Sequence, residues 1–306
     1  MRHFVSLADV STSEFAGLLE LSARVKAEPA RYREGLATKT LAMIFQKPST
    51  RTRVSFEAGT FQLGGHALYL SGRDLQLGRG ETIEDTARVL SRYVDGILAR
   101  VFAQADVQAL TAGTVPVING LSNRLHPCQA LADFLTLKEH KGRLDGLVLA
   151  YVGDGNNVAH SLIHAGALTG VTVRLATPEN YQPDPDIVAA ARQAGAHVEV
   201  LRDPEKAVAD ADAVYTDVWA SMGQEGEHAA RTSILQNYQV NEALFARAAP
   251  DAIFLHCLPA HRGEEVTDGV VDHSRSVVLD QAENRLHVQK ALMLHLIAGM
   301  ALPVAD

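Results

Sequence analysis

The chain has 306 residues, with 28 Lys and Arg against 36 Asp and Glu and a formal net charge of −8. That length predicts two domains of ordinary size, and 47% hydrophobic with 21% charged residues excludes a disordered chain, a collagen-like repeat and a small disulfide scaffold. The acidic balance leaves no global field to draw the chain to nucleic acid or an anionic membrane, so a bound anion requires a local basic cluster.

The amino-terminal residues show no apolar segment of the secretory type. In the first half, short apolar runs at 41–45, 67–70, 96–101 and 115–118 predict strands. Between them lie helical patterns. Ser49 is placed to cap a helix whose Val54, Ala58 and Phe61 share one face and which Gly64-Gly65 stops. A second amphipathic helix is predicted over 81–94. His126-Pro127 opens a third, with Leu131, Phe134, Leu135 and Lys138 at helical spacing and Gly142 as its end.

A second series of strands is predicted at 147–152, 171–176, 197–201, 213–216, 253–256 and 277–279, and a last helix over about 283–300. The apolar stretch 291–305 is broken by His295, Gly299 and Pro303 and is too short to span a bilayer, so no membrane partner is expected. Strands alternating with helices predict an α/β fold: two doubly wound domains, each a mainly parallel sheet flanked by helices. The division falls near 135–145. Without a Pro- or Ser-rich linker, helices are expected to join the halves, with the last helix returning to the first. Cys128 and Cys257 are far apart and form no C-x-x-C pair, which predicts a reducing, cytoplasmic setting.

Chemistry concentrates where strands end. Ser49-Thr50-Arg51-Thr52-Arg53 follows a strand and opens a helix; free N–H groups, hydroxyls and guanidinium forks make a site for a tetrahedral oxyanion. The alternative is a capped surface helix with solvated arginines. His126-Pro127-Cys128-Gln129 lies at a similar junction, where an imidazole and an amide could address a carbonyl, or simply pack and cap. Gly153-Asp154-Gly155-Asn156-Asn157-Val158 is similar to a dinucleotide fingerprint, with Glu179 at a plausible distance for a ribose ligand. Val158 stands in the third glycine's place, and the asparagines equally suit a zwitterionic ligand.

Asp217, at the end of the strand over 213–216, could pair with an amine, and Ser221-Met222-Gly223 forms a loop suited to a substrate; an acidic helix cap is the plainer alternative. His256-Cys257-Leu258-Pro259 again follows a strand, with Cys257 either reactive or structural. His160 and His164 have zinc-pair spacing, but Ser161 replaces the glutamate of a zincin, and no metal is expected. Arg100 and Arg285 could each serve an anion pocket or lie on the surface.

Together with Asp74-Leu75-Gln76-Leu77-Gly78, Asp85-Thr86-Ala87-Arg88 and Asn284-Arg285, these segments resemble, in order and over nearly the whole chain, the aspartate/ornithine carbamoyltransferase family. The segments 217–223 and 256–259 are similar to its ornithine branch. The resemblance implies transfer of a carbamoyl group from carbamoyl phosphate to the δ-amine of L-ornithine, giving L-citrulline and phosphate, with no metal or organic cofactor. Related acceptors (acetylornithine, putrescine, aspartate) and, more remotely, a nucleotide-binding oxidoreductase are the alternatives.

The resemblance further implies that residues 1–138, with about 283–306, bind carbamoyl phosphate and that 139–282 bind ornithine. Ser49, Thr50, Arg51 and Thr52 would hold phosphate, and Arg100 would bridge phosphate and carbonyl. His126 and Thr52 would polarise the carbonyl oxygen, while Gln129 and the Cys257-Leu258 backbone orient the carbamoyl nitrogen near Arg285. Asn157, Asp217, Ser221 and Met222 would bind ornithine, and Cys257, helped by Asp217, would orient its amine and relay the proton. A homotrimer or assembly of trimers is implied, with active sites at subunit interfaces and Gln76 reaching a neighbouring subunit.

Overall fold

A computed structural model describes residues 2–72, 80–220, 226 and 228–304. The chain forms two compact units, one from residues 1–135 with 283–306 and the other from residues 136–282. Among the described residues no helix is long and apolar enough to cross a membrane.

The first unit opens with helix α1 (Thr12–Ala27), whose Ser11 and Glu14 form a reciprocal capping box. Strand β1 (Thr40–Phe45) follows, buried along almost its whole length. Then come α2 (Thr50–Gln62), β2 (His66–Ser71), α3 (Ile83–Leu90), β3 (Gly96–Arg100), α4 (Gln104–Leu110), β4 (Val117–Leu121) and α5 (Pro127–Lys141). The sheet order is β2-β1-β3-β4, every pair parallel. Strands β1 and β3 are covered on both faces and therefore read as unbroken apolar runs. The order reverses direction between β1 and β3. Their register sets Phe45 opposite Arg100, so the segment after β1 emerges beside the Arg100 side chain.

The second unit runs β5 (Val148–Val152), α6 (Asn157–Thr169), β6 (Thr172–Ala176), α7 (Pro185–Gln193), β7 (Val198–Leu201), α8 (Pro204–Val208), β8 (Ala213–Thr216), α9 (His228–Leu235), α10 (Glu242–Phe245), β9 (Ile253–His256) and α11 (Asp268–Val271). Its sheet, β7-β6-β5-β8-β9, is also parallel throughout. The reversal falls between β5 and β8. Val152 faces Thr216, and Thr216 faces His256. Gly153, Asp217 and Cys257 therefore leave the sheet side by side. Ligands of open α/β sheets bind at the carboxyl ends of strands where the order reverses.

Helix α12 (Val278–Leu296) begins in the second unit and continues into the first. It replaces the strand expected over 277–279. Val277 and Val278 are apolar because they close the second unit's core, while Leu279 is 75% exposed, a helical alternation within three residues. The neighbouring Ser276 makes an isolated parallel bridge to Phe254. The face of α2 that carries Val54 and Phe61 is exposed, and the buried face is Thr52, Phe56, Gly59 and Thr60. Gly59 packs against α12, where a Cβ would meet the Met293, Leu286 and Lys290 side chains at 3.3–3.4 Å.

Candidate active site

Two groups of polar side chains form at the sheet reversals, one in each unit. In the first, Ser49 is the N-cap of α2 and accepts the Thr52 N–H at 3.2 Å. That bond closes the first turn of α2, which carries Thr50 and Arg51. Arg51 is exposed and has no partner among the described residues, whereas Arg53 is engaged by Glu57 at 3.0 Å and lies over the Tyr69 ring.

The buried Thr52 hydroxyl accepts from two guanidinium groups, Arg100 Nη1 at 3.4 Å and Arg285 Nη2 at 3.1 Å. Arg285 Nη1 also donates to Gln129 Oε1 at 2.6 Å, and Gln129 Nε2 donates to Asp133 Oδ1 at 2.8 Å. Gln289, with its amide turned as its neighbours require, accepts from Arg285 Nε and Nη2. Arg100, Gln129 and Arg285 are each at most 6% exposed. Two buried guanidinium groups thus share one hydroxyl, beside a helix start that supplies further N–H donors. This is an oxyanion cradle.

His126, at the entrance to α5, is buried. Burial lowers its pKa well below the ordinary imidazole value, and the charges of Arg285 and Arg100 lower it further. It is a neutral imidazole beside the cations, able to donate one N–H without adding charge. Cys128, at the start of α5, is the opposite of a nucleophile: burial pushes its thiol up to about 12, and Sγ–H donates to the Asn119 carbonyl.

In the second unit Asp217 is 5% exposed. Its Oδ1 accepts from Cys257 Sγ at 2.9 Å and from the Val218 N–H at 2.8 Å; its Oδ2 accepts from Asn156 Nδ2 at 2.7 Å. Among the described residues no cation pairs with it. A buried carboxylate held by neutral donors alone is costly, and a ligand ammonium would supply the counter-charge.

Behind Cys257, His256 Nδ1 accepts the Leu258 N–H at 2.9 Å and its Nε2 meets Glu265 Oε1 at 3.1 Å. These bonds fix the tautomer, with the proton on Nε2, and hold Leu258 at φ 57°. The donor atoms of Asp217, His256 and Cys257 lie within 4.8 Å of one another. Both His256 nitrogens are already committed, however, so a cation there would have to break the turn. His160 Nε2 accepts the Asp184 N–H, a structural use.

The Gly153–Val158 turn does not suit a nucleotide. Gly155 N–H donates to the Tyr181 carbonyl, and Pro183 and Gln182 occupy the place of a Gly155 Cβ. The backbone approach that a pyrophosphate needs is taken by the chain itself. Glu179 is paired with Arg202. The amide that meets Asp217 comes from Asn156, whereas Asn157 is the first residue of α6 and its carbonyl accepts Ser161 Oγ. Gln76, Ser221 and Met222 lie outside the described residues.

Two participants were missed from sequence. Arg231 donates to Asp154 Oδ2 at 2.8 Å and to the Trp219 carbonyl at 3.1 Å, anchoring the turn from 77 residues away. Asp133 orients Gln129. Its spacing of four from Gln129 on one helix was the available clue.

Two parallel sheets of this order, one ending in an oxyanion cradle and the other in a buried carboxylate beside a thiol, define a transferase-like pair of small-molecule-binding units. Family profiles resolve the class. Residues 2–139 match the carbamoyl-P binding domain of aspartate/ornithine carbamoyltransferase, and residues 145–296 match its Asp/Orn binding domain. The chain belongs to the aspartate/ornithine carbamoyltransferase family. It is 58% identical to the ornithine carbamoyltransferase of Thermococcus kodakarensis, covering 98% of this chain and 97% of that one. It is 57% identical to the anabolic ornithine carbamoyltransferase of Pyrococcus furiosus, at the same coverage. The solved structure of the Pyrococcus furiosus enzyme superposes with a TM-score of 0.94 at 56% identity over 98% of each chain, and that of Thermus thermophilus with 0.89 at 45% over 97% and 99%.

Proposed function

We infer that the chain transfers the carbamoyl group of carbamoyl phosphate to the δ-amine of L-ornithine, yielding L-citrulline and phosphate. The observation that carries this reading is a pair of complementary charges: a cradle of buried guanidinium groups for an anionic donor and a buried carboxylate held by neutral donors for an aminated acceptor. High identity to proteins named ornithine carbamoyltransferase supports the same acceptor.

On this reading residues 1–138 with 283–306 bind the donor and 139–282 the acceptor. Ser49, Thr50, Arg51 and Thr52 hold the phosphate, with Arg100 spanning phosphate and carbonyl. As the neutral δ-nitrogen attacks, the carbonyl oxygen gains negative charge, which Arg100, Thr52 and the neutral His126 stabilise by preorganised donors. Gln129, kept near Arg285, and the Cys257-Leu258 backbone orient the carbamoyl nitrogen. Asn157, Asp217, Ser221 and Met222 bind ornithine. A new C–N bond forms, the C–O bond to phosphate breaks, and the proton lost from nitrogen passes through Cys257 and Asp217.

A homotrimer, with Gln76 serving a neighbouring subunit, is supported by the apolar surface left on the first unit: Phe61 is 80% and Tyr93 74% exposed, and Val54 and the edge strand β2 are open as well. A cytoplasmic setting is supported by two cysteines that form no disulfide.

An acceptor screen tests the reading. With carbamoyl phosphate present, ornithine is expected to give citrulline at a kcat/KM at least about a hundredfold above that for acetylornithine, putrescine or aspartate, the scale of one buried charge interaction forgone. No citrulline between about pH 7 and 9, where a general base of ordinary range operates, or a faster alternative acceptor, overturns it.

A further inference from the structure

The Asn156 side chain performs two tasks at once. Its Oδ1 accepts from Val158 N–H at 2.9 Å and Ala159 N–H at 3.3 Å, capping α6. With the oxygen committed to the helix, the amide's orientation is no longer free, and Nδ2 is aimed at Asp217 Oδ2 at 2.7 Å. The turn that carries Asn156 is itself fixed from several directions. Tyr151 Oη donates to the Asp154 carbonyl at 2.8 Å, Gly155 N–H to the Tyr181 carbonyl at 2.8 Å, and Arg231 to the Asp154 carboxylate at 2.8 Å. The donor therefore reaches Asp217 from a rigid base.

Asp217 needs it. Its Oδ1 is addressed by Cys257 and by the Val218 N–H, and among the described residues Asn156 addresses Oδ2. An aspartate or serine would cap α6 as well as asparagine does. Neither supplies an N–H. Capping alone leaves the choice of an amide unexplained, and donation to Asp217 accounts for it.

We propose that Asn156 is a positioning residue for the acceptor amine: it holds the Asp217 carboxylate in a fixed orientation, so that the carboxylate meets the substrate ammonium and the Cys257 thiol together. This inference rests on the functional reading above and deepens it. Among the described residues, the titratable groups facing Asp217 are Cys257 and His256 from the end of β9 and Tyr151 from β5, with Asp154 paired to Arg231 in the same turn. Tyr151 stays a neutral phenol, since burial and then the Asp217 charge raise its pKa.

Two variants separate positioning from capping. Asn156→Ser keeps a capping oxygen and removes the donor. Asn156→Asp keeps shape and cap but sets a second carboxylate against Asp217, placing a further negative charge beside Cys257. Both are expected to melt as cooperatively as the wild type and to bind carbamoyl phosphate within about twofold of it, since the capping oxygen is retained. For Asn156→Ser, KM for ornithine is expected to rise by about tenfold or more while kcat falls less, the effect of losing a hydrogen bond to a charged group.

For Asn156→Asp, the pH midpoint of Cys257 alkylation by iodoacetamide is expected to move up by about one unit, because added negative charge disfavours the thiolate. Cys128 is buried and stays silent in that measurement. A wild-type ornithine KM in Asn156→Ser, or a wild-type alkylation midpoint in Asn156→Asp, would reduce Asn156 to a helix cap and overturn the proposal. A wild-type protein that makes no citrulline would instead defeat the functional reading, while the alkylation midpoints still decide whether Asn156 governs Asp217.

Discussion

The two polar centres are built on the same plan and filled with opposite chemistry. Each lies where a parallel sheet reverses its strand order, between β1 and β3 in one unit and between β5 and β8 in the other. In the first, guanidinium groups are steadied by neutral acceptors: Thr52, Gln129 and Gln289 share those of Arg100 and Arg285. In the second, an anion is held by neutral donors: Asn156, Cys257 and the Val218 amide surround Asp217. A fold position thus fixes where a ligand sits, and the sign of the charge gathered there fixes what kind of ligand it is.

The largest test removes charge from the first centre. Arg51→Ala takes an exposed guanidinium from the helix start, and kcat/KM for carbamoyl phosphate is expected to fall by about 1,000-fold, with weaker binding visible by calorimetry. Unchanged affinity would show that the buried arginines suffice. Asp217→Asn deletes the opposite charge. KM for ornithine is expected to rise about a hundredfold while carbamoyl phosphate affinity stays within about twofold, as fits the removal of a buried charge from the acceptor side alone. Equal losses for both substrates would erase the distinction between the centres.

Cys257→Ala is expected to lower kcat by about 10- to 100-fold, within the range of proton-transfer assistance, and to leave carbamoyl phosphate affinity nearly unchanged. Equal turnover would make Cys257 a packing residue.

The smallest effect is on stability. His126 is neutral in the folded protein because its pKa is lowered from 6.5 by burial and by Arg285 and Arg100. Below about pH 6.5 the unfolded chain takes up a proton that the folded chain refuses, so stability is lost as pH falls through this window. His126→Gln is expected to flatten the dependence of Tm on pH below about 6.5 relative to the wild type. Parallel curves would place the pH sensitivity in other groups, such as His3 or His287, whose pKa values are also lowered.

The sheets could be read from the chain because buried parallel strands are short continuous apolar runs; 213–216 and 253–256 are strands at the predicted bounds. Where a run is apolar for another reason, the reading fails. Residues 277–279 lead into the first turn of α12, and three residues are too few to separate a helical period from an extended one. Likewise Val54 and Phe61 have helical spacing yet face outward, because α2 turns Thr52, Phe56, Gly59 and Thr60 inward. The polar centres were visible where residues cluster immediately after a strand. Arg231 and Asp133 were not, since a single charged residue within a helical pattern shows its partner only after folding. The contact of the Asn156 amide with Asp217 was equally illegible, because a capping side chain shows where its second polar atom points only once the helix start is folded.

Gly155 carries one more consequence. In a nucleotide-binding turn the second glycine is small so that a ligand can come close, and enlarging it excludes the ligand. Here the space beside Gly155 is already filled by Gln182 and Pro183. A methyl group at that position would push against neighbouring backbone, and the displacement would travel through the turn to Asn156 and the carboxylate it steadies. The same three-residue pattern, glycine-any-glycine, is an open door in one protein and a hinge pin in another, and only the identity of what presses against the second glycine tells them apart.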